Sequence, residues 1–469
     1  MDAAFVADWL NLILRWAHMI VGVAWIGASF YFIWLDNHLK PPLDPADAAK
    51  GIGGEVWAVH GGGFYTAKKF ILAPETLPPE LHWFKWEAYT TLITGFFLLC
   101  LVYYYGAEIA LIDPSVMPLS KPEAIAIGLG FLVLGWLVYD GLCRSAFGED
   151  DLLLGGLLFF YCAVAAWALC HLFSGRGAYL HFGAMLGTIM VLNVYFVIIP
   201  GQRELVKAKQ EGRTPEPKYG AMGRQRSVHN TYFTLPVLFT MISNHYAGLY
   251  GHEWNWVLLI LISVAGALIR VWFVQRHKGN PDPLVLAGGL VVLALTAILS
   301  LPRPAVDIGP PASFAEVQPI FQARCQPCHA TKPTQEGFAA PPKGVILETP
   351  EEIRARAAMI NQQVWVTRVM PPGNMTHITE AERRLIARWF KGGAQKRHER
   401  PFRHPVLAPP ADGGAGGGRD LCLLDPALRP RCARSFTRAS RGRFPRLDRR
   451  AGLGPSRGLR RFAPARRAL

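Results

Sequence analysis

Residues 9–35 read WLNLILRWAHMIVGVAWIGASFYFIWL. This stretch decides the fold class. It exceeds the roughly 20 apolar residues that a helix needs to cross a bilayer. It does not read as a cleavable leader, because Asp2 and Asp8 stand where a basic n-region would lie. Within and just past it, Arg15, His18, Gly22, Trp25, Ser29, Phe32 and Asp36 recur at a 3–4 spacing, which puts them on one helix stripe. Arg and His are costly against lipid, so that stripe faces other helices. Seven further stretches have the same apolar character: 88–112, 123–141, 152–173, 178–200, 230–250, 254–275 and 283–301. The expected fold class is therefore all-α, with an eight-span transmembrane helix bundle over residues 1–301. A linker at 302–311 follows, then a small all-α domain at 312–396 and a tail at 397–469.

The charge distribution orients the bundle. The chain carries a formal net charge of +15. Residues 397–469 hold 18 Arg against five acids, so the rest of the chain is close to neutral and nucleic acid is not an expected partner. Hydrophobic residues make up 51% and charged residues 18% of the chain. That composition excludes a disordered protein, a disulfide scaffold and a coiled coil. Alternate inter-span loops carry 15 Lys and Arg, and the opposite set carries three. Basic loops stay in the cytoplasm. The N-terminus and everything after residue 301 are thus expected on the periplasmic side of a bacterial inner membrane. The tail is Arg-, Gly- and Pro-rich, and reads as a disordered extension or a frame-shifted read; its removal at 397 is expected to leave activity intact.

Cys325-Gln326-Pro327-Cys328-His329 opens the soluble segment. C-x-x-C-H is the attachment signature of c-type haem. Two thiols three residues apart reach both vinyl groups of one porphyrin, and the adjacent imidazole lies under the iron. Val317, Ile320 and Phe321 form an apolar helical face upstream. Thr379 and Glu382 form a capping-box pattern before a helix bearing Leu385, Ile386, Trp389 and Phe390. Two such helices closing over a haem make a small cytochrome c. A thioether sixth ligand is expected from Met370, with Met375 and Met359 as alternatives. Zinc or a disulfide is the competing reading of the motif, but no second Cys pair follows to complete a zinc site. Iron would then be held by His329 and Met370.

Four histidines, His18, His171, His181 and His245, fall at one depth in the outer half of the expected spans. Singly, each is most simply a helix–helix hydrogen bond. Together they suggest that two of them hold a b-type haem. Further inward lies a second polar layer, from which His60, Lys68 and His229 are candidate bases. Asp36 or Asp140 would orient the base, and Arg144 would pair with an anion. His60-Gly61-Gly62-Gly63-Phe64-Tyr65, followed by Lys68 and Lys69, reads either as a cradle for a planar anion or as an interfacial turn.

Several strings then resemble one family. They are Arg15-Trp16-Ala17-His18 with Trp25 through Asp36, Val56 through Tyr65, Trp83 through Tyr89, Gly135 through Ser145, and Ile242-Ser243-Asn244-His245-Tyr246. In these the chain, over about residues 8–395, resembles the membrane-bound, cytochrome-c-linked urate oxidases (urate hydroxylases) of bacterial purine breakdown. The resemblance implies an eight-span domain joined to a C-terminal cytochrome c. It implies oxidation of urate to 5-hydroxyisourate, with electrons passing to haem and the respiratory chain rather than to oxygen. A periplasmic cytochrome or terminal oxidase would accept them. The competing class is a quinol-to-cytochrome relay with no urate activity; a transporter is disfavoured, since no internal repeat is visible. Urate at the inner layer would lie a membrane thickness of about 30 Å from the outer haem, which calls for a relay or for an outer binding site.

Overall fold

The computed structural model describes residues 3–71, 73–301 and 308–394. All belong to one compact unit, Met1–Glu399. The tail expected at 397–469 lies outside the described residues.

Helix α1 spans Ala3–His38. A short α2, Pro45–Ala49, precedes strands β1 (Ile52–His60) and β2 (Gly63–Phe70). Helix α3 is Trp86–Leu99, continued by a π-turn at Cys100–Tyr105 and a short α4, Ala107–Ala110. Then come α5 (Lys121–Arg144) and α6 (Asp151–Leu172). Helix α7 (Gly175–Asn193) passes through a π-turn into α8 (Ile199–Gln210). Helices α9 (Pro217–Ile242), α10 (Ala247–Tyr250), α11 (Asn255–His277) and α12 (Pro283–Leu299) complete the bundle.

Among the described residues, six helices are long and apolar enough to cross a membrane: Phe5–His38, Trp86–Tyr105, Lys121–Arg144, Asp151–Leu172, Gly175–Gln210 and Asn255–His277. The other two expected spans fall on helices that do not meet that measure. Helix α9 starts at Pro217, with Lys218, Arg224 and Arg226 in its first turns. Helix α12 has 17 residues. Two expected boundaries also shift. The stretch 201–229, expected as a loop, is largely helical: the helix begun at Gly175 runs on through its π-turn and past Pro200 to Gln210, and α9 starts at Pro217. Span 230–250 ends at Ile242, where a 3₁₀ turn, Ser243–His245, takes over.

Local caps set several starts. Asp150 accepts from the amides of Leu152 and Leu153 at the head of α6. Asp282 accepts from the Leu284 amide with Pro283 behind it at the head of α12. Small residues then set how closely the helices approach, as is usual in apolar bundles. A Cβ on Gly183 of α7 would meet Thr240 Oγ1 of α9 at 1.8 Å, and one on Gly135 of α5 would meet Met185 of α7 at 2.5 Å.

The fold is mostly helical but not wholly so, which corrects the all-α expectation. β1 and β2 form an antiparallel hairpin closed by the His60–Gly63 pair. Gly61 and Gly62 both have positive φ, 57° and 83°. A two-residue hairpin turn of this kind needs left-handed backbone at both positions. The glycine run is thus explained by turn geometry, without a ligand.

Residues 308–394 form a second hydrophobic core of α13 (Phe314–Ile320), α14 (Gln326–His329), α15 (Pro350–Ala355), α16 (Ala357–Asn361) and α17 (Glu380–Lys391). Phe321 and Trp389 meet edge-on at 5.6 Å, joining the segment's first and last helical regions. Glu382 accepts from the Thr379 amide at 2.7 Å and its own amide donates to Thr379 Oγ1 at 3.2 Å, so the capping box is formed. This C-terminal segment touches the bundle. Gly373 lies so close to the carbonyls of Ile112 and Glu108 that a Cβ would be 2.6 and 2.9 Å from them. Gly251 of the bundle approaches the Thr367 carbonyl still more closely.

Candidate functional site

The α13–α14 junction delivers Cys325, Cys328 and His329 on consecutive turns. Both cysteines are free thiols. Burial pushes Cys325 up to about 12 and raises Cys328 as well, so neither is a thiolate at neutral pH. His329 Nδ1 lies 2.9 Å from the Val345 carbonyl, which can only accept. That carbonyl therefore fixes the proton on Nδ1 and leaves the Nε2 lone pair for a metal. Cys325 and Met370 border the same core cluster, whereas Met359 is 41% exposed. Arg383 holds the Met370 loop by donating to the carbonyls of Val364 and Met370, each at 2.7 Å. Among the described residues, no group of three or more His, Cys, Asp or Glu is arranged to hold a metal ion, so zinc lacks the ligands it needs here. The residues present fit a covalently attached haem with His329 as ligand and Met370 within the same core.

A second polar site lies between α5, α7 and α9. Tyr139 OH is 2.8 Å from His229 Nδ1 and receives the Asn193 amide at 3.0 Å. Since Asn193 occupies the acceptor side of the hydroxyl, the phenol proton points to His229. Asn193 also donates to Asn230 Oδ1 at 2.8 Å, and Asn230 donates to the Met190 carbonyl at 2.9 Å. Arg226, 1% exposed, donates to Asp140 at 2.8 Å and lies over the Tyr139 ring at 5.0 Å. Arg144 takes the other oxygen of Asp140 at 2.6 Å. Three buried atoms of this network have no partner: Arg226 Nε, Arg226 Nη1 and Asn193 Oδ1. Buried polar groups are nearly always hydrogen-bonded, so these two nitrogens and one oxygen call for partners, either water or a bound molecule.

The structure thus brings together His229, Asp140 and Arg144 from the sequence-based candidates with Asn230 of the same inner polar layer, and adds Arg226, Tyr139 and Asn193. Arg226 had counted only as a loop charge, because α9 begins earlier than its apolar run. Tyr139 and Asn193 carry no charge and gave no signal of their own. The remaining candidates sit elsewhere. Lys68 is salt-bridged to Asp47, and Asp36 to Lys69 at 2.9 Å. His60 is exposed at the hairpin tip.

Nor do the four outer histidines converge. His171 is exposed and stacked on Trp167 of its own helix at 4.6 Å. His245 is exposed in the 3₁₀ turn. His181 is fully buried, but its Nε2 faces Gly128 of α5, where an added Cβ would lie 2.8 Å away. His18 alone of the four lines a half-open groove of about 460 Å³ between α1, α3, α7 and α9, where its ring packs against Gly95.

A family model described as urate oxidase, N-terminal, matches residues 4–301. The chain belongs to that family. The match covers the whole helical bundle, hairpin included, and ends where the C-terminal segment begins. No curated protein and no solved structure matches the chain.

Proposed function

We propose that the chain is a membrane oxidoreductase that oxidises urate to 5-hydroxyisourate and delivers the electrons to a covalent haem c on residues 325–329. The observation that carries this reading is the contact between two parts: a bundle matched to a urate oxidase family, and a haem-attachment segment seated on it through Gly373, three residues after Met370. Helices α9 and α12 count as the seventh and eighth spans, and the Lys and Arg bias puts the N-terminus and the haem on the periplasmic side of a bacterial inner membrane.

The reaction balances as urate plus water giving 5-hydroxyisourate, two protons and two electrons. A haem c held by Cys325, Cys328 and His329 would supply a one-electron acceptor, with electrons leaving to a periplasmic cytochrome or terminal oxidase rather than to oxygen. The chain's own residues bind the anion and handle protons. The unpaired Nε and Nη1 of Arg226, three N–H bonds in all, and the free carbonyl of Asn193 match a heterocyclic edge bearing both acceptors and donors. The Tyr139–His229 pair lies beside them and can take up a proton at His229.

Anaerobic addition of urate to the purified ferric protein tests this. Reduction of the c-type haem is the expected result. A spectrum unchanged by urate, but reduced by a quinol, would replace the reading with an electron-transfer cytochrome.

A further inference from the structure

The groove between α1, α3, α7 and α9 opens sideways, and its rim belongs to the outside of the bundle. Met19 and Val23 of α1 and Phe96 of α3 line it and are exposed. Three of its walls, α1, α3 and α7, are helices long and apolar enough to cross a membrane, so this rim meets acyl chains rather than water. Two places in the groove are filled by the chain itself. The His18 ring packs against Gly95, and Thr240 occupies the space beside Gly183. The remainder is open, since nothing lies within 4 Å of a Cβ built on Gly22 or Gly187. Thr91 and Thr234 in its depth spend their hydroxyls on carbonyls of their own helices, at 2.6 and 2.9 Å, so the open part offers an apolar surface.

One end of the groove is polar. Tyr103 and Asn244 line it there, and the Tyr103 hydroxyl donates to Asn244 Oδ1 at 3.2 Å. Arg176, in the first turn of α7, donates through Nε to the same hydroxyl at 3.4 Å and lies over the Tyr103 ring at 5.5 Å. A neutral phenol is thus the neighbour of this half-buried cation, and among the described residues no carboxylate pairs with it. Arg176 begins the stripe of α7 that continues through Leu180, Ala184, Gly187 and Val191, all of which line the groove. Tyr105 and Tyr246 stand exposed at the same end. Exposed aromatic residues at the ends of spans mark the boundary between membrane and water, so Arg176 lies at headgroup level. The stripe from Arg176 to Val191 covers about 22 Å of helix. That exceeds half of a hydrocarbon core about 30 Å thick, the depth one leaflet fills.

We infer that the groove is a phospholipid site, in which the phosphate of one glycerophospholipid pairs with Arg176 and one acyl chain lies along the open trough past Gly187 and Gly22. A guanidinium presents forked donors that match phosphate oxygens, and Arg176 has no acidic side chain to take them. The chemistry of the site has the order of the lipid itself: a cation at the membrane surface, then a long apolar wall beneath it. The lipid comes from the leaflet on the side of the C-terminal segment, because α3 leads from Tyr103 through α4 to the Gly373 contact. A lipid that binds the folded bundle and not the unfolded chain stabilises the bundle. The inference rests on the bundle crossing a bilayer and is independent of the urate chemistry.

The test uses the full-length protein purified from membranes in mild detergent and washed until loosely held lipid is gone. Native mass spectrometry then counts the molecules that stay bound, and chromatography of the solvent extract identifies them. The expected wild-type result is one phospholipid for each chain. Arg176→Gln is expected to lower retention about tenfold, as when a charge-assisted hydrogen bond is lost. Arg176→Lys keeps the charge and is expected to restore most of it. Gly187→Phe fills the trough without touching Arg176 and is expected to abolish retention. Added phosphatidylglycerol should raise the melting temperature of the delipidated wild type and leave that of Arg176→Gln unchanged, and the same melts show that each variant is folded. Wild-type chains that retain no phospholipid, or a quinone in its place, overturn the inference, as does full retention in either Arg176→Gln or Gly187→Phe. Reduction of the covalent haem by urate reports separately on the proposed function.

Discussion

The hairpin and the α5–α7–α9 network hold the same kinds of side chain in opposite states. On the hairpin, Lys68 is about one-third exposed and paired with Asp47, and Lys69 is paired with Asp36. In the bundle, Arg226 is enclosed and keeps two nitrogens, Nε and Nη1, unpaired although Asp140 is beside it. Exposed pairs contribute little, because water competes for both partners. A buried group left unsatisfied costs free energy, which water or a bound molecule recovers by hydrogen bonding to it. Charge alone therefore does not mark a site, and Arg270, likewise enclosed with Nε and Nη2 unpaired, shows that burial alone does not either.

The sharpest way to break this contrast is Arg226→Gln. Urate-dependent haem reduction should fall about 100-fold, as when a positioned donor to a charged substrate is removed. Asp140 keeps Arg144, and covalent haem content shows whether the chain still folds. An unaltered rate would move the substrate site elsewhere. Tyr139→Phe is milder. It removes the hydrogen bond to His229 without emptying space, and a loss of about tenfold in the same assay is expected from one buried hydrogen bond. On the hairpin, Lys68→Met and His60→Ala should change the rate less than about twofold, in keeping with exposed surface positions. A large loss from either would restore the hairpin as part of the catalytic site.

The smallest effect is one of pH. Lys68, first by its hydrogen bond and then by its charge, holds Asp47 below the usual carboxylate range, and Asp47 raises Lys68 in return. The depressed carboxyl contributes stability above its unfolded value of 3.8 and loses it as pH falls through the folded value. The raised ammonium contributes below 10.5 and loses it as pH rises through its own folded value. Backbone hydrogen exchange over residues 52–70 should therefore be slowest relative to the intrinsic rate across the neutral range and gain on it below pH 4. Lys68→Met should flatten that acid dependence.

Much of the architecture was legible in residue order. Apolar run length and a covalent attachment motif are properties of a few contiguous residues, so the helices of the bundle and the Cys325–His329 segment could be read directly. Capping residues such as Thr379 and Glu382 act within one turn and were equally visible. The glycine run at 61–63 left two readings open, because a hairpin turn and a ligand cradle ask for the same residue. What only the tertiary structure decided was the rotation of each helix about its axis. Close approaches at Gly128, Gly135 and Gly183 set it, and it turns His181 toward Gly128, His18 toward Gly95 and His171 outward. Hydropathy counts how apolar a segment is, but the direction a buried side chain faces depends on the partner helix, and that partner is distant in sequence.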